Sequence, residues 1–435
     1  MDASWGMTGA GRGRRGRIAV VSVDARLGDE VKGATRYTYL ATLLAEQGWE
    51  VDFITASFQH WEKRQRDLAA FDADAHPFTV RFIEEPGYPT NMCPQRIWAH
   101  HVMAKRVAAH FERDHGYDLI YCQIPPNDVT LAAGRAAHRF GIPFVIDVND
   151  LWPEAFRVAL NVPVVSDLLF APFERHARRA YALADAIVGT SEEYAARGFR
   201  DRAEDIPKLV LYVGNDLAVF DGGAAAHAEV AAKPAGETWV AYAGNISALY
   251  DLETLVEAVA ALAPSWPGLR LKVLGDGPGR GDVERAVART GAPADVLGYL
   301  PYEVMAAYLM GSDVVVNSLV ADAPQSVPTK IGDYLASGHP MVNTSMNPEF
   351  RAKVERDGFG VNVRPGDAEA LAAALEGLLH DAEGRDRMGR RARAVAEAEF
   401  DRRHAYRAAL ELIEGLVEAR GTRPDPRAPA DAERS

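Results

Sequence analysis

Short apolar runs recur along the chain, and between them apolar side chains repeat every three or four positions. The runs Ile18 to Val23, Val51 to Thr55, Leu119 to Cys122, Phe144 to Val148, Ala186 to Gly189 and Leu209 to Val213 predict buried strands. The periodic stretches Tyr37 to Glu46, Val129 to Arg139 and Leu168 to Leu183 predict helices between them. After an Ala- and Gly-rich interval, 216–236, the alternation restarts. Strands are then predicted at Trp239 to Ala243, Leu271 to Leu274, Val296 to Gly298, Val314 to Val316 and Met341 to Val342. Helices are predicted at Leu252 to Leu262, Val283 to Arg289, Tyr302 to Leu309 and Thr329 to Ser337, then Glu369 to Leu379, Arg385 to Glu397 and Arg403 to Leu416. Two rounds of this alternation predict an α/β chain with two Rossmann-like domains built on parallel sheets. One interval, 57–94, reads as a long polar and aromatic connection, of the kind that is usually functional or mobile.

A length of 435 residues agrees with two cores rather than one. The expected boundaries are an N-terminal domain over 17–215, a linker over 216–236, a C-terminal domain over 237–399 and a last helix over 400–419. The ends, 1–16 with its GRGRRGR stretch and 420–435, are expected to be disordered. A net charge of -13 argues against a general nucleic-acid binder. With only Cys93 and Cys122, neither a disulfide framework nor a cysteine zinc site is expected. No run approaches the roughly 20 apolar residues of a membrane span, and the first residues lack a signal-peptide core. A cytoplasmic protein is expected, with the basic arm offering at most a weak peripheral contact to an anionic membrane surface.

Candidate chemistry concentrates after the run Val314 to Val316. The loop Leu319 to Pro328 would lie at the carboxyl edge of a parallel sheet, where such folds bind ligands. Lys330 and Asp333 follow on one helix face. A cation for phosphate beside a carboxylate for sugar hydroxyls suits a sugar nucleotide; a weak surface ion pair is the other reading. Gly244 and Gly275, with Asn245 and Asp276 next to them, mark two further strand-to-helix turns where backbone can approach a ligand. In the first half, Gly33 sits at such a turn, and His60, Arg96 and His101 lie on or just after the long connection. Asp147, Asp150 and Glu154 crowd a strand end beside Trp152, where a carboxylate can orient or deprotonate a hydroxyl. Asp150 capping a helix begun by Pro153 is the structural alternative.

Taken as an ordered set, the pieces resemble the retaining glycosyltransferases of family 4, which have the GT-B fold. The second half carries YAGNISALYDLETLVEA, LKVLGDGPG, VLGYLPYEVMAAYL, SDVVVNS, VPTKIGDYLASGHPMV and FGVNVRPGDAEALAAAL. The first half carries KGATRYTYLATLLAEQGWEVDFIT, SFQHWEKRQR, VNDLWPEAF and ADAIVGTSEEY, marks of a bacterial cell-surface polysaccharide branch. The resemblance implies two facing domains, a last helix crossing back to the first, and transfer of a glycosyl group with retention, without metal or cofactor. It implies a sugar-nucleotide donor in the second domain and a glycan, lipid-linked or small-molecule acceptor in the first. The family's pair of acids, seven residues apart, falls on Gln325 for the donor sugar and Asp333 for the ribose, and its phosphate-binding lysine on Lys330. N–H groups at Gly244, Asn245 and Ser326 would share the diphosphate charge, with Gly275 and Asp276 at the base. Gly33, His60, Arg96, His101, Asp150 and Glu154 are the acceptor-side candidates. Three positions depart from the pattern: Gln325 is an amide where the family has an acid, the family's basic pair falls near Asn245 and Tyr250, and its first-domain His is replaced around Gln123. A sugar-nucleotide epimerase, a natural-product glycosyltransferase and a non-catalytic nucleotide-sugar binder are the rival expectations.

Overall fold

The computed structural model describes residues 15–28, 30, 35–154, 165–200, 202, 204–323 and 327–421. Gly33, Gln325 and Ser326 therefore lie outside the described residues, as do the two expected disordered ends apart from 15, 16, 420 and 421. The chain divides into two units, the first running to Val210 and resuming at Ala408, the second spanning Leu211–Arg407.

Unit 1 carries β1 (Arg17–Val21), β2 (Glu50–Ala56), β3 (Phe58–Gln59), β4 (Arg64–Gln65), β5 (Thr79–Ile83), β6 (Leu119–Ile124), β7 (Phe144–Val148), β8 (Ala186–Gly189) and β9 (Lys208–Val210). Seven of them form a parallel sheet in the order β5-β2-β1-β6-β7-β8-β9. Ala19, Val21, Ile54, Ile120, Cys122, Ile146 and Ile187 are buried against helices, which is why these runs are apolar without alternation. Helix Asn127–Phe140 stops at Gly141, whose φ of 63° suits a residue lacking Cβ. The interval 57–94 is not one connection. It contains the β3–β4 hairpin and the edge strand β5. Both were hidden by short length and by the charged residues of an edge, such as Arg81.

Unit 2 holds β10 (Thr238–Ala243), β11 (Leu269–Leu274), β12 (Ala294–Gly298), β13 (Val314–Asn317), β14 (Met341–Asn343) and β15 (Gly360–Asn362), all parallel, in the order β12-β11-β10-β13-β14-β15. Asp251, Asn347, Asp367 and Asp381 each cap a helix by accepting the backbone N–H three residues on. The Ala/Gly interval is itself structured: helix Leu217–Ala226, capped by Asp216, packs on helix Tyr302–Met310. Its Gly223 allows this, since a Cβ there would lie 2.9 Å from Glu303 Cα. The last helix, Arg402–Gly421, begins in unit 2 and ends in unit 1, where Arg420 donates to the Tyr117 carbonyl at 2.8 Å.

In each sheet the chain starts centrally, builds one way, then returns to build the other way. The reversals fall between β1 and β6 and between β10 and β13. At such a reversal the connecting helices diverge and leave a crevice at the carboxyl edge.

Candidate functional site

In unit 2 the crevice is framed by Gly244, which follows β10, and by helix Ile331–Ala336. Tyr334 ties them together: its hydroxyl accepts the Ala243 N–H at 2.8 Å and donates to the Ala243 carbonyl at 2.8 Å. β10 and β13 share only the pairs Val240–Val314 and Ala241–Val315, so a tyrosine completes the strand end where the neighbour has turned away. The helix has only six residues, and its dipole adds little.

Lys330 precedes that helix and is 9% exposed. Its Nζ lies 4.1 Å from the Tyr242 ring centre, 4.0 Å from that of Tyr250 and 5.6 Å from that of Tyr334. No described residue hydrogen-bonds this nitrogen. The ring faces attract an ammonium, yet burial pushes the amine well below the usual lysine range. Tyr250, at a position the resemblance gives to a basic residue, is thus a wall of the Lys330 site. Across from it lies Gly244, whose φ is 141° and where a Cβ would stand 3.3 Å from Lys330 Cδ.

The glycine turns do meet. A Cβ on Gly275, φ 152°, would fall 1.8 Å from the Gly244 carbonyl oxygen. The Gly244 N–H is not free for a ligand, because it donates to the Leu274 carbonyl at 2.9 Å. That corrects its expected part as a phosphate donor: Gly244 supplies room, while the Asn245 N–H has no partner among the described residues. Asp276 sits at the surface, accepting from its own turn at Gly277 and from Arg280. Beside this turn a groove of about 700 Å3 runs past Tyr250, rimmed by Asp251, Glu253, Glu257 and Asp282. Those four carboxylates make this rim unfavourable to an anion, in contrast to the Lys330 side.

Asp333 is half-buried. Its Oδ1 accepts from Asn215 Nδ2 and from the Tyr302 hydroxyl, both at 2.7 Å. Burial raises its carboxyl above the usual range, while the two donors and Arg402 pull it down. It makes no ion pair with Lys330, so the weak surface pair is not what forms.

In unit 1, Asp24 follows β1, Glu85 follows β5, Gln123 is next to last in β6 and Asp150 follows β7. Gln123, where the resemblance places a histidine, accepts the Ser22 hydroxyl at 2.5 Å; burial raises the Asp24 carboxyl nearby and Gln123 offsets part of that rise. Arg96 lies 4.6 Å over the Trp152 ring and 5.7 Å over Tyr88. His60 is buried with Nδ1 2.7 Å from the Tyr88 hydroxyl, and burial together with Arg96 and Lys63 brings it down to about 4. Asp150 accepts from the Leu151 N–H at 2.8 Å and from Trp152 Nε1 at 3.0 Å, and burial raises its carboxyl. A cavity of about 500 Å3 opens beside this group, walled by Trp98, His100, His101, Trp152, Phe173 and His176.

Two carboxylates of the stretch 147–154 are taken up in ion pairs. Asp147 is 1% exposed, pairs with Arg36 through both oxygens at 2.8 and 3.0 Å, and accepts from the Tyr121 hydroxyl. Glu154 is held by Arg197 at 2.5 Å and Arg200 at 3.0 Å. Sequence reasoning missed Glu85, Asp24, Tyr302, Asn215 and the three tyrosines around Lys330. Asp24 was within reach, as the acid next after an apolar run; the others depend on elements far apart in the chain.

Comparison with known proteins accords with this geometry. Residues 32–211 match the glycosyl transferase 4-like domain and residues 237–381 match the glycosyl transferases group 1. An α-D-kanosaminyltransferase of Streptomyces kanamyceticus is 24% identical over 264 residues, 60% of this chain and 67% of its own. D-inositol 3-phosphate glycosyltransferase of Nocardia farcinica is 27% identical over 430 residues, 92% of this chain and 89% of its own. The solved structure of Anabaena HepE in complex with UDP superposes with a TM-score of 0.65 at 17% identity, covering 92% of this chain and 100% of that one. With a glycosyl transferase 4-like domain followed by a glycosyl transferases group 1 domain along most of its length, and the fold of solved glycosyltransferases, the chain belongs to the GT-B glycosyltransferases.

Proposed function

We propose that the protein transfers a sugar from a nucleoside diphosphate to an acceptor hydroxyl with retention, in cell-surface glycan or glycoconjugate assembly. The observation that carries this reading is Lys330: a buried nitrogen with no described hydrogen-bond partner, lying across a glycine at the point where the sheet of unit 2 reverses. A buried cation left unmatched is costly, and an anionic ligand answers it. HepE, with the same fold, binds UDP.

In this reading the bond from the sugar's anomeric carbon to the diphosphate oxygen breaks as the acceptor oxygen attaches on the same face. Charge grows on the leaving diphosphate. Lys330 and the Asn245 N–H stabilise it, with Ser326 as a further donor by resemblance. Asp333 holds the ribose, Gly275 and Asp276 border the base, and Gln325 positions the sugar. The cation is the lysine ammonium, and no protein-bound metal enters the proposal. The acceptor's proton passes to the leaving phosphate. His60, Arg96 and Asp150 of unit 1 receive the acceptor, with a lipid-linked glycan as first choice and an antibiotic-like small molecule second. A cytoplasmic location goes with a sugar-nucleotide donor.

Thermal unfolding in UDP, GDP, ADP and dTDP tests the donor site. A ligand at 100 times its Kd adds about 2.7 kcal/mol to the folded state. A raised midpoint with at least one of the four is expected, followed by acceptor-dependent release of that diphosphate from its sugar conjugate. A midpoint unmoved by all four would refute the donor site.

A further inference from the structure

We infer that Tyr302 and Asn215 are positioning residues for the donor's ribose, acting through Asp333, and that together they make the site selective for a nucleotide bearing a 3′-hydroxyl. The inference rests on the donor reading above and names two residues that reading does not use.

A lone carboxylate at a half-buried position can rotate, and each rotamer presents a different oxygen. Here rotation is blocked. Oδ1 of Asp333 takes two donors at 2.7 Å, one from Tyr302 and one from Asn215. No described residue donates to Oδ2. The carboxylate is therefore anchored by one oxygen and presents the other, the arrangement needed to accept from a sugar hydroxyl at a fixed place.

Both donors are themselves held, Tyr302 by its helix and a ring contact and Asn215 by its main chain. Tyr302 opens its helix directly after Pro301, and its ring meets Phe220 with centres 6.4 Å apart. Phe220 lies on helix Leu217–Ala226, which reaches Tyr302–Met310 through Gly223. Asn215 is held at both main-chain groups: its N–H donates to the Phe400 carbonyl at 2.9 Å and its carbonyl accepts the Arg402 N–H at 2.9 Å. Its amide must face Asp333 with the NH2, because the amide oxygen would meet the carboxylate as a second acceptor. Gly332 makes the approach possible, since a Cβ there would already stand 3.3 Å from Asn215 Oδ1. Two side chains from separate stretches of sequence thus converge on one oxygen and leave the other for a ligand.

The experiment is a calorimetric titration of the full chain, as wild type, Tyr302→Phe and Asn215→Ala, with UDP, GDP, ADP and dTDP and with the 3′-deoxy form of each. Wild type is expected to prefer the hydroxylated form of its nucleotide by about tenfold or more, since a hydrogen bond to a charged group is what the 3′-deoxy form lacks. Each variant should cut that preference to about threefold or less, while affinity for the 3′-deoxy form stays within about twofold of wild type. Parallel loss of affinity for both forms would show a merely structural role and overturn the inference. So would a wild type that does not discriminate, or a variant pair that keeps the full preference. If none of the four nucleotides binds, the donor reading itself fails and takes this inference with it; binding without discrimination sinks this inference alone.

Discussion

Glu85→Gln should stabilise the protein above pH 5, by an amount that grows with pH. Glu85 is 3% exposed just past β5. Its backbone is in use, the N–H donating to Ser57 Oγ at 3.1 Å and the carbonyl accepting Gln65 Nε2 at 2.8 Å. Its side chain is not: Oε1 is enclosed with no partner among the described residues. Burial, and secondarily the charge of Asp24, moves its carboxyl up from 4.5 to about 8. The raised value sets the sign. Below pH 4.5 the carboxyl is protonated whether folded or not, and nothing is lost. Between 4.5 and about 8 the unfolded chain ionises while the folded one does not, so stability falls as pH rises. The difference of 3.5 units corresponds to a ceiling of about 5 kcal/mol, and to about 3 kcal/mol at pH 7. Glutamine removes the titration and keeps the shape. For a unit of this size the gain at neutral pH corresponds to a midpoint rise on the order of 6–12 °C. Scanning calorimetry of both proteins at pH 5, 7 and 9 is the assay. The midpoints should nearly coincide at pH 5 and separate progressively. Parallel curves across that range would mean that Glu85 ionises normally, and the burial argument would be wrong.

Two further perturbations address unit 2. Lys330→Met keeps the stem and removes the charge, so nucleoside diphosphate affinity should fall on the order of 10- to 100-fold, the weight of a hydrogen-bonded charge. The unliganded variant should unfold no lower than wild type, and its advantage should widen as pH drops from 10 to 7, because a depressed lysine loses stability as the unfolded chain protonates below 10.5. A variant that binds normally, or is simply less stable at every pH, would remove Lys330 from the site. Gly275→Ala forces a Cβ to within 1.8 Å of a carbonyl oxygen at a φ of 152°, and should cost several kcal/mol and abolish diphosphate protection. A melting point unchanged within a degree would show that the two turns do not meet as described.

The elements most legible in the sequence were those whose own side chains decide their fate. Phe144 to Val148 and Ala186 to Gly189 are strands to the residue, and Leu252 to Leu262 is a helix to the residue. Each is apolar in the period of its structure and bounded by a turn residue or cap. β5 escaped because an edge strand carries charge, here Arg81, and β15 because its three residues, Gly360 to Asn362, hold too little apolar pattern. Helix Leu217–Ala226 escaped because an Ala/Gly stretch without periodicity reads as a loop until its partner helix is known. Lys330 and Asp333 stood out because they are chemically conspicuous within one short motif. What holds them did not, because Tyr242, Tyr250, Tyr302 and Asn215 are ordinary residues until the fold brings them within 2.7 to 4.1 Å of those two side chains.

The same reasoning explains why the carboxylates of unit 1 do not form one cluster. Asp147, Asp150 and Glu154 lie within eight positions of one another and looked like one cluster. Strand geometry separates them. Asp147 is inside β7, where the only low-cost state for a charge is a bidentate partner, and Arg36 from the first helix supplies it. Glu154 is past the strand and meets Arg197 and Arg200. Only Asp150, just beyond the strand's carboxyl end, remains in the crevice, and the acids that join it there, Asp24 and Glu85, come from the ends of β1 and β5. Adjacency in sequence predicts a shared site poorly when the residues straddle a strand end. Equivalent position after parallel strands predicts it well, because every strand in such a sheet delivers its next residue to the same edge.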